Sequence, residues 1–243
     1  NTDFSINITA IEKAITPRTK GIIINSPNNP TGKIYTEKEI DNLCDMLKKK
    51  SSGNQKIFLI CDEPYREIIY DNKFVSPVLN KYVNTLVVNS FSKSLSLPGE
   101  RIGYVAVNPD ADNYALLMAG LNLSNRILGF VNAPALMQRI VAQLNEAAVN
   151  VNVYKRRRDM LMTGLKDAGY EFPEPEGAFY LFCKAPGGDD VNFVRHLQKY
   201  NILAVPGVGF GGPGYFRIAY CISEKVIEKA IPKFKESLAS YKQ

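Results

Sequence analysis

Three polar side chains of different chemistry follow three apolar runs at nearly equal separations. They are the amide of Asn29 after residues 21–25, the carboxylate of Asp62 after 57–61, and the amine of Lys93 after 86–88. Short apolar runs rich in β-branched residues are the pattern of strands buried on both faces of a parallel sheet. In open α/β sheets the carboxyl ends of such strands line one rim, where ligands bind. The spacing therefore predicts that Asn29, Asp62 and Lys93 meet at that rim. Ser90 and Ser92 flank the lysine and Arg101 follows it, so hydroxyls and a forked guanidinium are at hand to hold a phosphate.

An amine able to form a Schiff base, a carboxylate able to pair with a pyridinium nitrogen and a phosphate cradle together meet the requirements of pyridoxal 5′-phosphate (PLP). Each residue alone also suits a plain role, as surface lysine, helix cap, turn asparagine or surface ion pair. Their joint order favours chemistry. The single histidine, His196, removes Ser-His and Cys-His catalysis and any multi-histidine metal site. Cys44, Cys61, Cys183 and Cys221 stand far apart with no C-x-x-C, which predicts free, mostly buried thiols and no metal.

The elements that must position these groups read as follows. Thr9 to Glu12 fits a capping box for a short helix ended by Thr16-Pro17. Thr36 to Glu39 is a second box, opening a helix whose apolar positions Ile40, Leu43, Cys44 and Leu47 share one face. Residues 102–107 read as a fourth strand. Beyond Asp110 the pattern is helical, with an interruption at 129–134 and a long helical region over 134–169. The remainder predicts strands at 178–183, 203–205 and 215–220, a helix after Asp189-Asp190 and a final helix after Ser223. The glycine-rich segment 207–214 reads as a loop shaped by backbone needs, because no helix follows it directly. Domains are expected over 1–150 and 151–243.

The 243 residues, 45% of them hydrophobic and 22% charged, are enough for one large or two modest cores. No apolar run approaches a membrane span and no signal-peptide pattern opens the chain, so a cytoplasmic protein is expected. The net charge of +6 is spread along the chain. Its two clusters, Lys48-Lys49-Lys50 and Arg156-Arg157-Arg158, fall in helix-like segments and read as solvated faces, not as a nucleic-acid surface.

The motifs SPNNPTG, CDEPY, SFSKSLSLPGERIGY, EGAFYLF and FRIAY, in that order, resemble the class I and II PLP-dependent aminotransferases of aspartate-aminotransferase-like fold, over essentially the whole chain. The resemblance implies an α/β fold: a mostly parallel sheet sandwiched by helices, plus a smaller α+β C-terminal domain. It implies that Lys93 bonds covalently to the cofactor and then moves a proton, that Asp62 pairs with the pyridine nitrogen, and that Asn29 and Tyr65 hydrogen-bond the phenolic oxygen. Ser90, Ser92 and Arg101 would bind the phosphate, and Arg217 would grip the substrate α-carboxylate. Tyr180 and Gly177 would shape the small-domain side of the cleft. Pro64 departs from the family's usual small or aliphatic residue.

The implied activity is transfer of an amino group between an amino acid and a 2-oxo acid in a homodimer. A PLP-dependent C–S β-lyase of the cystathionine type is an alternative on the same fold. So is an aminotransferase-like effector domain of a transcription regulator. Arg126 lies near where some aspartate aminotransferases place an arginine for a side-chain carboxylate, and a plain helix-flank role competes with that. The resemblance also leads one to expect an N-terminal arm, a first strand, a glycine-containing phosphate turn and a ring-stacking aromatic ahead of Asn1. The expectation is therefore that this chain is the later part of a longer enzyme, with weak PLP binding and little turnover by itself.

Overall fold

The computed structural model describes residues 3–51, 53, 55–144 and 147–241; Asn1 lies outside them. The three apolar runs form β1 (Gly21–Asn25), β2 (Phe58–Asp62) and β3 (Thr85–Ser90), adjacent in that order and parallel. A fourth strand, β4 (Gly103–Val107), closes the sheet antiparallel to β3. Gly103 makes this pairing possible, since a Cβ there would stand 2.4 Å from the Asn89 carbonyl oxygen.

Helix α1 (Ile8–Ala14) starts differently from the expected Thr9 box. Asn7 caps it by accepting from the Ala10 N–H at 2.9 Å, while Glu12 pairs with Lys50 at 3.0 Å. Helix α2 (Glu37–Lys50) has the expected box: Thr36 Oγ1 accepts from Glu39 N–H, and Glu39 Oε2 accepts from Thr36 N–H at 2.8 Å. Its stripe of Ile40, Leu43, Cys44 and Leu47 is buried with Ile24, Ile57, Leu59 and Cys61 in one core. Each fully buried Leu or Ile there contributes roughly 1.5–3 kcal/mol. Lys48, Lys49 and Lys50 occupy the last turn of α2, where the helix dipole favours cations.

Two readings need correction. The run in β1 is not buried on both faces: Ile24 enters the core, but Ile23 points the other way and is 71% exposed. The 134–169 stretch is broken, giving α5 (Ala135–Val141) and α6 (Val151–Ala168), with residues 142–144 and 147–150 not helical. Asn150 caps α6 through its side chain, an alternative to helix that asparagine offers the backbone. Earlier along the chain, the four-residue α3 (Phe91–Ser94) follows β3 and α4 (Tyr114–Ile127) follows β4.

The chain divides into two compact units. The first is Asn1–Pro27, Ile34–Glu67 and Phe74–Val149; the second is Asn28–Lys33, Ile68–Lys73 and Asn150–Gln243. A single cut at residue 150 thus leaves out two short segments, 28–33 and 68–73, that pack with the second unit. That unit holds a three-stranded antiparallel sheet of β5 (Tyr180–Lys184), β6 (Val205–Pro206) and β7 (Tyr215–Ala219) in the order β5-β7-β6. Helices α6, α7 (Asp190–Gln198) and α8 (Glu224–Tyr241) complete it. Tyr170 sits among Phe193, Phe216 and Phe234 and donates its hydroxyl to the Phe234 carbonyl at 2.9 Å.

Arg158 contradicts the solvated-face reading of its cluster. It is 2% exposed, bonded to Asp71 at 2.7 Å, Asp159 at 2.8 Å and the Pro175 carbonyl at 3.0 Å, with its guanidinium 4.6 Å over the Tyr70 ring. Through Asp71 and Tyr70 it fastens segment 68–73 into the second unit.

Candidate active site

In the first unit, Asp62 ends β2 and Ser90 ends the neighbouring β3. Asp62 is half-buried, and burial pushes its carboxyl above the ordinary range. Its parallel-strand partner Asn25 donates Nδ2 to Asp62 Oδ2 at 3.1 Å and to the Asp62 carbonyl at 2.9 Å. Ser90 caps α3, accepting the Ser92 N–H at 3.3 Å, and this turn presents the half-buried Lys93 immediately after the strand.

Tyr65 is buried, 4% exposed, in the turn after Asp62. Arg101 is exposed in a left-handed backbone conformation (φ 52°), and its guanidinium donates to the Pro98 carbonyl at 2.6 Å. Arg126 lies exposed in the last turn of α4.

In the second unit a different cluster forms. Asn29, expected to share a rim with Asp62 and Lys93, belongs to segment 28–33 and accepts from Arg217 Nη1 at 2.8 Å. Thr31 and Asn28 fold this segment back on itself: Asn28 Oδ1 accepts from Thr31 N–H at 3.1 Å and from its hydroxyl at 2.8 Å. Gly32, at φ 70°, then presents its carbonyl to the N–H groups of Glu176 and Gly177 at 2.9 and 3.0 Å. A Cβ at Gly32 would stand 2.3 Å from Pro175 Cβ, so the turn demands glycine on two counts. Gly177 thereby anchors the turn that carries Asn29.

Arg217 projects from β7 with the Tyr180 and Phe210 rings each 4.6 Å from its guanidinium. Two such contacts are worth about 0.5–2 kcal/mol each and fix the plane of the fork. Its Nε is buried and has no hydrogen-bond partner. A flat cation packed against two rings, with one nitrogen tied to Asn29 and Nε unmatched, has the chemistry to take a carboxylate in its plane.

Phe210 and Asn25 escaped sequence reasoning. Phe210 lies in a glycine-rich segment that forms a 3-10 turn, Gly207–Phe210, and it reads as filler. The segment is fastened by the buried Asp190, whose carboxylate accepts from Val208 N–H at 2.9 Å and Gly214 N–H at 3.1 Å. Asn25 closes an apolar run and reads as its stop. Only the register of β1 against β2 pairs it with Asp62.

Among the described residues no group of three or more His, Cys, Asp or Glu side chains could hold a metal ion, and no helix is long and apolar enough to cross a membrane. His196 Nε2 lies 3.0 Å from both the Ser237 carbonyl and the Ser240 hydroxyl. Cys44, Cys61 and Cys183 are buried free thiols, and Cys221 is an exposed one.

The profile of the family described as aminotransferase class I and II matches residues 1–234. A relative from Aquifex aeolicus, named "Probable aspartate/prephenate aminotransferase", is 36% identical over 250 residues, covering 97% of this chain and 61% of that protein. A solved aminotransferase from Eubacterium rectale is 44% identical with a TM-score of 0.95, covering 100% of this chain and 61% of the other. The aspartate aminotransferase structure from Thermotoga maritima superposes with a TM-score of 0.84 at 29% identity, over 98% and 61% of the two chains. The chain thus spans about three fifths of the length of the proteins it matches.

Proposed function

This chain belongs to the class I and II aminotransferase family, and from that premise we propose that the protein transfers an amino group between an amino acid and a 2-oxo acid with PLP as cofactor. The observation that carries the proposal is Arg217: a half-buried cation with two aromatic rings packed on it, tied to Asn29 and with its buried Nε short of an acceptor. It is a receptor for the α-carboxylate that every amino acid and 2-oxo acid shares. The half-buried Asp62 carboxylate, raised by burial, fits the cofactor, because a cationic ring nitrogen beside it would offset the desolvation.

PLP, when bound, supplies an aldehyde that takes up an amino group and a protonated ring that withdraws electrons from the adjoining carbon. Asp62 keeps that ring protonated. Lys93 supplies the amine that anchors the group, and its Nζ moves the proton at the substrate carbon. Ser90, Ser92 and Arg101 hold the phosphate, for which Arg101 must exchange its Pro98 carbonyl partner for the anion. Tyr65 and Asn29 serve the ring oxygen, and Arg217 with Asn29 orients the substrate. Arg126 is the residue to test for a second, side-chain carboxylate. The same reading makes the whole protein a cytoplasmic homodimer. The relatives' names make aspartate and its oxo acid the first substrates to try, and none of the quoted relatives is named a β-lyase or a regulator.

The test is to incubate the chain with PLP, reduce with borohydride and map the labelled peptide. The label should fall on Lys93 and vanish in Lys93→Ala. Label scattered over surface lysines and unchanged by that substitution would overturn the proposal.

A further inference from the structure

Building on that reading, we propose that Asn25 is a positioning residue: its side-chain amide keeps Asp62 ionised and sets the direction in which the carboxylate faces. Asn25 and Asp62 are the last residues of adjacent parallel strands and are paired in register. One NH2 group donates to both the carboxylate Oδ2, at 3.1 Å, and the carbonyl of the same residue, at 2.9 Å. Two bonds from a single nitrogen to the side chain and the backbone of one aspartate fix its carboxylate against rotation. The Ser26 N–H adds a third contact, to the Asp62 carbonyl at 3.4 Å, so the strand end itself is held. Asn25 thereby engages Oδ2 and not Oδ1.

The chemistry suits the task because an amide donates without bringing charge. An arginine or lysine in that place would satisfy the carboxylate and compete with a cationic ring nitrogen. An aliphatic residue would leave a half-buried carboxylate to take up a proton, since burial already raises its pKa. The paired position on β3 is the apolar Val88, and Glu63, in the turn after β2, is itself bonded by Arg66 at 2.6 Å. Asn25 is thus what favours the charged form from the neighbouring strand.

The test reads Asp62 directly. Its side-chain carboxyl is titrated by 13C NMR in the chain as it stands, assigned through Asp62→Asn, and compared with Asn25→Leu and Asn25→Ser. Loss of a hydrogen bond to a charged group should raise the Asp62 pKa by about one unit, a tenfold change in ionisation, in Asn25→Leu. Asn25→Ser, which keeps a short donor, should recover part of it. An Asp62 titration identical in wild type and Asn25→Leu, with both chains folded by circular dichroism, would overturn the proposal. In parallel, apparent PLP affinity followed by Lys93 labelling should fall about tenfold in Asn25→Leu. A wild-type chain that takes no label at Lys93 would count against the functional reading alone, because the titration decides on Asn25 without any cofactor.

Discussion

Replacing Asp190 by asparagine tests how the second unit holds Phe210 against Arg217. The carboxylate is 5% exposed and accepts two backbone N–H groups, Val208 at 2.9 Å and Gly214 at 3.1 Å, which draws both ends of the 207–214 segment onto the start of α7. Asp190→Asn keeps the shape but turns one acceptor into a donor facing a donor. The surviving bond falls from the charge-assisted range of about 1.5–3 kcal/mol to about 0.5–1.5, and the other, part-buried N–H is left unsatisfied at about 1–3 kcal/mol. The expected loss is about 3 kcal/mol.

Urea unfolding followed by circular dichroism at pH 7 measures that loss, and amide hydrogen exchange locates it. Val208 and Gly214 should exchange faster in the variant while the amides of α8 keep their rank. The pH dependence has a definite sign. Burial works to raise the Asp190 carboxyl, but backbone N–H donors, Val208 and Gly214 first and then Asp190 and Gly207, outweigh it and leave the group below its ordinary value of 3.8. A depressed folded pKa means stability that is present above 3.8 and lost as pH falls through the lower folded value. The gap between wild type and Asp190→Asn should therefore narrow below that pH. A loss under about 0.5 kcal/mol, unchanged exchange at Val208 and Gly214, or a gap that stays constant well below pH 3.8 would refute the reasoning.

In Gly32→Ala the left-handed φ of 70° and the 2.3 Å approach to Pro175 should together cost about 3 kcal/mol, read as a lowered melting temperature of the second unit. Arg158→Met should cost about 2 kcal/mol, discounted for the 41% exposure of Asp71. The Arg158 hydrogen bond, followed by that of Lys155, holds the Asp71 carboxyl below 3.8. As pH falls below that value wild type should therefore lose more stability than the variant, which keeps only the Lys155 part, and acid titration of the two chains compares them. A disulfide-exchange reagent should react quickly with one thiol of the native chain, the exposed Cys221, and with four in urea. Burial holds Cys44 up at about 11 and pushes Cys61 and Cys183 higher still, so Cys221→Ser should abolish the fast phase.

Much of the first unit was legible along the chain because its signals are local. Apolar runs with β-branched residues mark β1, β2 and β3, the Thr36–Glu39 box marks the start of α2, and the polar residues at the run ends follow from the strands stopping there. Those features place Asp62 at the end of β2 and Lys93 just after β3 without any knowledge of packing. Periodicity failed within 134–169, where apolar residues continue through 142–144 and 147–150, which are not helical.

The remaining pairings join residues far apart in sequence, and nothing local encodes them. Asn29 meets Arg217 across 188 positions because segment 28–33 is captured by the turn at Glu176 and Gly177. Arg158, one of three adjacent arginines, is buried because Asp71, Asp159 and the Pro175 carbonyl converge on its side of α6. Asn25 finds Asp62 only because parallel register sets their strand ends side by side. The sequence by itself determined which strands end in an amine and a carboxylate, because strand and turn propensities act over a few residues. The tertiary structure alone decided which partners orient those groups, because register and burial depend on the whole packed unit.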